Sequence, residues 1–260
     1  MSNKPRKASP RGKHLGQHFL VNKKIVEDIV RAGEVSKKDI VLEVGPGKGV
    51  LTEALAEKAK KVIAVEKDSI LVEFLKEKFS KYRNVEIVLG DILKTDIKNY
   101  GLRTMDYKLI ANIPYYITSH FLRLFLSQAE LRPSLMVLML QREVAERIVA
   151  RDGRESLLSL SVKAYGEPKI IKIVRRGNFS PPPKVDSAII NITIKHSVFN
   201  SYVEKILNLA RHAFQQKRKM LRQSLGKWVP EKYAQKRPEE LKLEDWKTIY
   251  LSQSAQSQAP

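Results

Sequence analysis

The sequence contains no cysteine and no long apolar stretch. Without cysteine the chain can form neither a disulfide nor a thiolate-bound zinc site, and this composition fits a reducing compartment such as the cytoplasm. No apolar run approaches the roughly 20 residues that a membrane-spanning helix requires, and the N-terminus has no signal-type apolar core. We therefore expect an intracellular protein that has no membrane-embedded segment and no metal site.

Acidic residues are also scarce. The chain has 28 Asp and Glu against 48 Lys and Arg, which gives a formal net charge of +20 and a pI near 10. The first acidic residue is Glu27, and the cations and prolines of residues 1–13 predict a flexible basic arm. A positive surplus of this size predicts binding to a polyanion. Nucleic acid is the favoured partner, and an anionic membrane surface is the weaker alternative.

Short apolar segments alternate with amphipathic ones from about residue 25 to residue 150. We predict strands at 40–44, 62–65, 85–88, 108–111 and 135–140, and helices at 50–59, 70–79, 121–126 and 144–150. Short buried strands separated by helices predict an α/β fold with a mainly parallel sheet covered on both faces. Two later β-rich runs, 168–175 and 188–195, are expected to add strands at the sheet edge.

The pattern becomes helical after about residue 196. Apolar residues recur at helical spacing over 202–225 among many cations, which predicts a basic helix over Arg211–Arg222. Trp246 marks one or two further short helices. We therefore expect three units: the arm (1–13), an α/β domain (14–196) and a small helical domain (197–260) that ends in a disordered low-complexity tail from Ser252.

A glycine-rich loop, Glu43-Val44-Gly45-Pro46-Gly47-Lys48-Gly49, joins the first central strand to a helix. Open parallel sheets bind ligands at such a position. The third glycine comes one position too early for a dinucleotide loop, and Pro46 lacks an N–H for a pyrophosphate. Lys48 is followed by Gly49 instead of Ser or Thr, so this is not a P-loop either. The loop suits a nucleoside ligand without phosphate, although a plain tight turn remains an alternative.

Two further carboxylates follow the next two predicted strands. Glu66 lies 21 positions after Gly45, a spacing that suits a carboxylate accepting hydrogen bonds from ribose hydroxyls. Asp91 follows the third strand and could accept from an adenine amino group. Either residue taken alone could equally cap the next helix. Three successive strand ends with fitting groups point to S-adenosylmethionine, with Glu43 and the loop backbone near its amino-acid end.

Several longer motifs accompany this site. They are Leu15-Gly16-Gln17-His18-Phe19-Leu20, Asn112-Ile113-Pro114-Tyr115-Tyr116-Ile117, Phe179-Ser180-Pro181-Pro182-Pro183-Lys184-Val185-Asp186-Ser187 and Gln216-Lys217-Arg218-Lys219-Met220-Leu221-Arg222-Gln223-Ser224-Leu225. In this order they resemble the ribosomal RNA adenine dimethyltransferases, which modify two adjacent adenosines near the 3′ end of small-subunit RNA. The resemblance covers roughly residues 11–228. It implies a Rossmann-like class I methyltransferase fold with a small C-terminal helical domain.

The resemblance also implies a set of cofactor residues. In the family, the positions that line S-adenosylmethionine correspond to His18, Leu20, Gly45, Glu66, Asp91 and Asn112. We add their neighbours in the same motifs to the predicted cofactor site: Gln17, Glu43, Gly47, Lys67 and Ile92. His18 differs from the family pattern, because many members carry Asn at this position. We expect the His18 side chain to keep a polar contact with the cofactor.

The Asn112-Ile113-Pro114-Tyr115 motif follows an apolar strand and is the predicted catalytic segment. The nucleophile, the exocyclic amine of adenine, has a lone pair delocalised into its ring. Acceptors on its two N–H groups would make it more nucleophilic, and the Asn112 side chain and the Ile113 carbonyl can supply them. Pro114 fixes the backbone that aims these groups. Tyr115 and Phe179 are predicted to stack on the flipped base, although either ring could simply pack in the core.

RNA is the predicted partner, held at its phosphates by Lys184, Arg211, Lys217, Arg218, Lys219 and Arg222. We expect a cytoplasmic monomer that acts on small-subunit ribosomal RNA in a pre-30S-type particle. A resistance-type enzyme acting on large-subunit RNA is the nearest alternative, and a non-catalytic RNA- or DNA-binding factor is another. Intact Glu66, Asp91 and Asn112 argue against loss of catalysis, and the glycine spacing argues against an NAD dehydrogenase.

Overall fold

The structure, a computed structural model, describes residues 18–113, 117–150, 154–195 and 200–256. Its centre is a seven-stranded sheet with the spatial order β4-β3-β2-β5-β6-β9-β7. These strands are β2 (Ile40–Val44), β3 (Lys61–Glu66), β4 (Val85–Leu89), β5 (Tyr107–Asn112), β6 (Leu135–Gln141), β7 (Gly166–Val174) and β9 (Ser187–Ile194). A separate two-stranded sheet pairs β1 (Phe19–Leu20) with β8 (Phe179–Ser180).

The first five strands of the large sheet run parallel, and β9 and β7 are antiparallel to their neighbours. In register, Val44 lies beside Val65 of β3 and Ala111 of β5, so the carboxyl ends of these strands meet at one edge. The β7–β9 pairing has an irregularity between Ile170 and Lys172. The predicted mainly parallel α/β fold, including the two late strands at the sheet edge, is confirmed.

Ten α-helices connect and cover the strands in the described part of the chain. They are α1 (Lys23–Ala32), α2 (Val50–Lys58), α3 (Ser69–Lys78), α4 (Thr118–Ser127), α5 (Arg142–Val149), α6 (Leu157–Tyr165), α7 (Asn200–Phe214), α8 (Leu221–Leu225), α9 (Glu231–Ala234) and α10 (Leu243–Gln256). Polar side chains define several of their first turns, because a free backbone N–H there needs an acceptor. Asn22 caps α1, Asp68 caps α3, and Ser156 with Ser159 forms a capping box at α6. None of the described helices is long and apolar enough to cross a lipid bilayer.

The sheet divides the hydrophobic core into two layers. Successive side chains of a strand point to opposite faces, and in β2 Val41 therefore joins one cluster while Leu42 joins the other. Helices α1 and α2 cover the first face, with Ile29 and Leu55 among their buried residues. On the second face the cluster extends from α4 and α6 to the C-terminal helices and includes Trp246.

The C-terminal helices share this second layer with the sheet. Apart from the apolar packing, the Tyr165 hydroxyl of α6 donates a 2.7 Å hydrogen bond to the Glu204 carboxylate of α7. The division into units at 1–13, 14–196 and 197–260 stays a prediction, and the basic arm lies outside the described residues.

Two predictions about the C-terminal region are wrong. The basic stretch 211–222 is not one helix, because α7 ends at Phe214 and α8 begins at Leu221, with a turn between them. The segment between Phe214 and Met220 contains no apolar residue that could pack against the core. Its adjacent cations would also repel one another in a helix. The tail from Ser252 is not wholly disordered either, since α10 continues to Gln256. Buried Trp246 and Ile249 anchor this helix.

Candidate active site

The carboxyl edge of the parallel strands collects most of the predicted site. Glu43 lies near the end of β2, Glu66 ends β3 and Asn112 ends β5, while Asp91 follows β4 by two residues. The strand order places these four residues in a row along the edge, although 69 positions separate Glu43 from Asn112 in the sequence. Parallel sheets bind ligands at this edge, beside the point where the strand order reverses. In this sheet that point lies between β2 and β5.

The glycine-rich loop turns sharply between β2 and α2. Gly45, Gly47 and Gly49 all have positive φ, a region that glycine enters without steric cost. A Cβ on Gly47 would lie 3.0 Å from the Phe19 ring, and one on Gly49 would lie 2.6 Å from the Phe79 ring. These two glycines therefore let aromatic rings pack directly against the loop backbone. Among the described residues, a Cβ on Gly45 would meet only the backbone carbonyl oxygen of Asn112, at 3.6 Å.

Glu66 is a buried carboxylate held by backbone N–H groups. Its Oε1 accepts from Lys67 N at 2.8 Å and Asp68 N at 3.1 Å, and its Oε2 accepts from Gly47 N at 3.2 Å. A carboxylate offers about four acceptor positions, so one remains for a ligand hydroxyl. A second hydroxyl could bind by replacing the longest of the three bonds, the one from Gly47. The carboxylate thus fits a ribose and also ties the glycine loop to β3.

Asp91 is an ionised acceptor at the same edge. The Lys67 ammonium, 2.8 Å from Asp91 Oδ2, lowers the pKa of Asp91, and burial opposes this effect in part. Oδ1 accepts from Leu93 N at 3.2 Å, which orients the carboxylate. Ile92, next in sequence, is buried and gives the edge an apolar patch. An acceptor beside an apolar side chain suits an adenine ring.

Glu43 is 1% exposed and occupies an unusual position for an acid. Burial raises the pKa of Glu43 to about 8, and the nearby Glu66 charge adds to this, while the Thr52 hydroxyl and the Lys78 ammonium oppose it. Its Oε2 has no hydrogen-bond partner among the residues that the structure describes. A cationic group arriving at the loop would favour the ionised carboxylate. This unpaired oxygen and the Glu66 and Asp91 acceptors together fit S-adenosylmethionine.

The predicted catalytic segment begins at the end of β5. Asn112 is half-buried and lies beside Met139 of β6, and Ile113 is buried. The backbone carbonyl oxygen of Asn112 lies next to Gly45, which places the start of the predicted catalytic segment beside the glycine loop. Pro114 and Tyr115 lie outside the described residues, so their predicted roles are not addressed by the structure. The catalytic roles of Asn112 and Ile113 stay predictions. Their position at the carboxyl end of β5 is compatible with these roles.

A second group of predicted residues meets at the small sheet. Leu20 pairs with Phe179, and Phe19 pairs with Ser180. His18 Nδ1 lies 2.8 Å from the Pro181 carbonyl oxygen. A carbonyl can only accept, so Nδ1 carries the proton, and in the neutral ring Nε2 is left as an acceptor. The Phe179 ring is 4% exposed and packs in the same core layer as Leu20. Its stacking role stays a prediction, and Gln17 lies outside the described residues.

The predicted RNA contacts lie on other elements than the strands that carry the carboxylates. Lys217, Arg218 and Lys219 are exposed in the turn between α7 and α8, whereas Arg211 is half-buried and contacts Asn208. Arg222 is exposed on α8, and Lys184 is exposed beyond β8. Binding of RNA by these residues stays a prediction.

Several supporting residues could not be identified from the sequence. Lys78 at the end of α3 donates to the carbonyl oxygens of Lys48 and Gly49, both at 3.3 Å, and also lies 3.2 Å from a Glu53 carboxylate oxygen. Asn178 accepts from the Asn22 side-chain amide at 2.7 Å. Their partners are far away in the chain, 29 positions for Gly49 and 156 for Asn22, and no local pattern marks such residues.

Comparisons with known proteins agree with this geometry. The family model described as ribosomal RNA adenine dimethylase matches residues 10–258. A Dehalococcoides mccartyi protein named ribosomal RNA small subunit methyltransferase A is 43% identical over 254 residues, which cover 92% of this chain and 87% of the relative. A protein of the same name from Latilactobacillus sakei is 42% identical over 217 residues, 80% of this chain and 73% of the relative.

Two solved structures share the fold over nearly the whole chain. A dimethyladenosine transferase from Plasmodium falciparum superposes with a TM-score of 0.82 at 30% identity, covering 92% of this chain and 98% of its own. The 23S rRNA methyltransferase ErmE has a TM-score of 0.76 at 26% identity, covering 90% and 98%. S-adenosylmethionine is the cofactor that these findings support. The chain belongs to the ribosomal RNA adenine dimethylase family.

Proposed function

We propose that the protein transfers methyl groups from S-adenosylmethionine to the N6 amines of two adjacent adenosines near the 3′ end of small-subunit ribosomal RNA. The product is N6,N6-dimethyladenosine, formed during assembly of the small subunit. The observation that carries the proposal is the position of Asn112 at the end of β5, where its backbone carbonyl lies next to the glycine loop between β2 and α2. The names of the 37–43% identical relatives favour the small-subunit RNA over the large-subunit RNA.

The cofactor would be held along the strand ends. Glu66 accepts from the ribose, Asp91 and Ile92 face the adenine, and Glu43 with the loop lies near the amino-acid end. Lys67 keeps Asp91 ionised and therefore an acceptor. When bound, S-adenosylmethionine supplies an electrophilic methyl group on its sulfonium. Every other contribution comes from the alignment that this chain imposes on the adenine.

Asn112 and Ile113 orient the attacking amine. The Asn112 side-chain oxygen and the Ile113 main-chain oxygen accept one N–H each, so the amine lone pair turns towards the methyl group. A neutral amide serves here because the amine proton becomes acidic only as the new bond forms. A carboxylate in the same half-buried place would cost desolvation energy. Tyr115 and Phe179 would replace the stacking that the flipped base loses, about 1–3 kcal/mol for each base.

The RNA would be held by the exposed cations already described, around the α7–α8 turn and at Lys184. A chain with a net charge of +20 attracts phosphates at long range, and the affinity falls steeply as salt rises. We propose further that the substrate is a pre-30S-type particle and that the protein acts on it as a cytoplasmic monomer.

An Asn112→Ala variant tests the proposed chemistry. We expect kcat to fall by about 100-fold or more, the usual effect of removing one polar group that acts in the transition state. Binding of S-adenosylhomocysteine, measured by calorimetry, should weaken far less than kcat falls, because Asn112 is one of several residues predicted to line the cofactor. Asn84→Ala is a matched control, because Asn84 is an equally half-buried amide whose side chain donates to the Ala56 and Ala59 carbonyls. Near-normal turnover in Asn112→Ala would overturn the proposed role.

A further inference from the structure

The small two-stranded sheet connects the cofactor side of the site to the base side. We define the β1–β8 ribbon as residues 18–22 and 178–181. Besides the strand pairing, Val21 N donates to the Asn178 carbonyl at 3.0 Å, and the Asn22 amide donates to the Asn178 side-chain oxygen at 2.7 Å. At the other end the His18 imidazole bonds to the Pro181 carbonyl. The two segments are 156 or more positions apart in the chain, yet four kinds of contact join them.

One strand of the ribbon lies against the cofactor loop. The Phe19 ring would be 3.0 Å from a Cβ on Gly47, and the Lys48 ammonium lies 5.0 Å from the centre of the same ring. Gly47 is also bonded to Glu66, the predicted ribose acceptor. A ligand that orders this loop therefore acts directly on Phe19, and through it on β1.

The other strand carries the predicted base-stacking residue. Phe179 follows Asn178 directly, and Asn178 is held by four hydrogen bonds. Its backbone and side-chain oxygens accept from Val21 and Asn22. Its backbone N–H and its side-chain amide both donate to the Arg175 carbonyl, at 3.0 Å and 2.7 Å. Asn22 itself caps α1 through Lys24 N. Asn178 thus fixes where β8, and with it Phe179, begins.

We infer that Asn178 is a positioning residue through which the β1–β8 ribbon makes the cofactor loop and the base-stacking strand open and close as one unit. Cofactor binding then orders Phe179 before the adenine arrives. Coupling of this kind is reciprocal, so a bound base also tightens the hold on the cofactor. The inference rests on the proposed function for the identity of the two ligands.

Hydrogen exchange with S-adenosylhomocysteine tests this without RNA. If β8 can open only after the ligand leaves, S-adenosylhomocysteine at a concentration of ten times its Kd slows exchange of the backbone amides in 176–180 by about elevenfold. In Asn178→Ala the slowing of exchange should become about two- to tenfold weaker. This is the change in an equilibrium constant that the loss of one hydrogen bond typically causes. Asn178→Asp keeps the oxygen that accepts from Asn22 and should restore most of the slowing. The Asn84→Ala control should behave as the wild type does.

The outcomes separate the inference from the proposed function. Wild-type protein that binds S-adenosylhomocysteine without slower exchange in 176–180 would overturn the inference and leave the proposed function standing. Equal slowing in wild type and Asn178→Ala would show that Asn178 is not the link. If the wild type does not bind S-adenosylhomocysteine in calorimetry, the proposed function fails, and the inference fails with it.

Discussion

Glu43 makes a strong prediction because its carboxyl group is fully buried beside the cofactor loop. In the folded protein burial raises the pKa of Glu43 from its usual 4.5 to about 8. The folded state therefore holds a proton on Glu43 that the unfolded chain releases above about pH 4.5. The contribution of Glu43 to the free energy of unfolding therefore has its full size below the unfolded pKa. It is lost as the pH rises towards the folded pKa. We expect Glu43→Gln, which stays neutral, to remove this pH dependence.

The size of the effect follows from the two pKa values. Each full pH unit between them corresponds to about 1.4 kcal/mol. Because titration is incomplete near each pKa, the wild type loses about 3.5 kcal/mol between pH 5 and pH 8 that the variant keeps. Any constant cost of fitting the Gln amide contributes equally at both pH values and cancels. The titration of all other groups is common to the two proteins and cancels as well.

Urea unfolding of both proteins at pH 5 and pH 8 measures this difference. The free energy of unfolding of Glu43→Gln relative to wild type should rise by about 3.5 kcal/mol from the lower to the higher pH. Glu53→Gln is the control, since Glu53 is a half-exposed acid on α2. A difference between Glu43→Gln and wild type that is the same at both pH values would refute the reasoning, because Glu43 would then be ionised in the folded protein.

Three further predictions concern the loop and the basic turn. Gly49→Ala should lower the free energy of unfolding by about 3 kcal/mol in urea, because its φ of 73° and the Phe79 ring 2.6 Å away both resist a methyl group; an unchanged midpoint would contradict this. Lys78→Met should raise the Kd of S-adenosylhomocysteine about two- to tenfold in calorimetry by releasing the loop carbonyls, and equal weakening in Lys78→Arg would argue against that cause. The third prediction replaces the three cations of the α7–α8 turn, Lys217, Arg218 and Lys219, by Gln. The slope of log K against log salt for RNA binding should become shallower by about 0.7–0.9 for each phosphate that the protein no longer neutralises. An unchanged slope would show that these residues do not contact the RNA.

The strands and the carboxylate row could be predicted from the sequence because their signals are local. Buried parallel strands such as Ile40–Val44 are continuous apolar runs, and each functional residue stands at a strand end. Once the sheet is predicted to be parallel, its carboxyl ends must share one edge. That rule alone places Glu66 and Asp91 at the same edge of the sheet as the glycine loop.

Other features depend on contacts between distant parts of the chain. Nothing near Phe19 in the sequence indicates that its ring covers Gly47, and nothing near Asn178 indicates Asn22 as its partner. The break between α7 and α8 has a local signal, the lack of apolar residues at 215–219, but the helical spacing of the apolar residues on either side masks it. The raised pKa of Glu43 likewise depends on burial by elements that fold over it from elsewhere.

The most direct test of the proposed function is to incubate the protein with labelled S-adenosylmethionine and small ribosomal subunits that lack the modification, and then to map the methylated bases. The account predicts N6,N6-dimethyladenosine at two adjacent adenosines near the 3′ end of the small-subunit RNA, and none with Asn112→Ala. Large subunits serve as the parallel substrate. Label in large-subunit RNA alone, or label in neither RNA from a protein that binds the cofactor, would contradict the account.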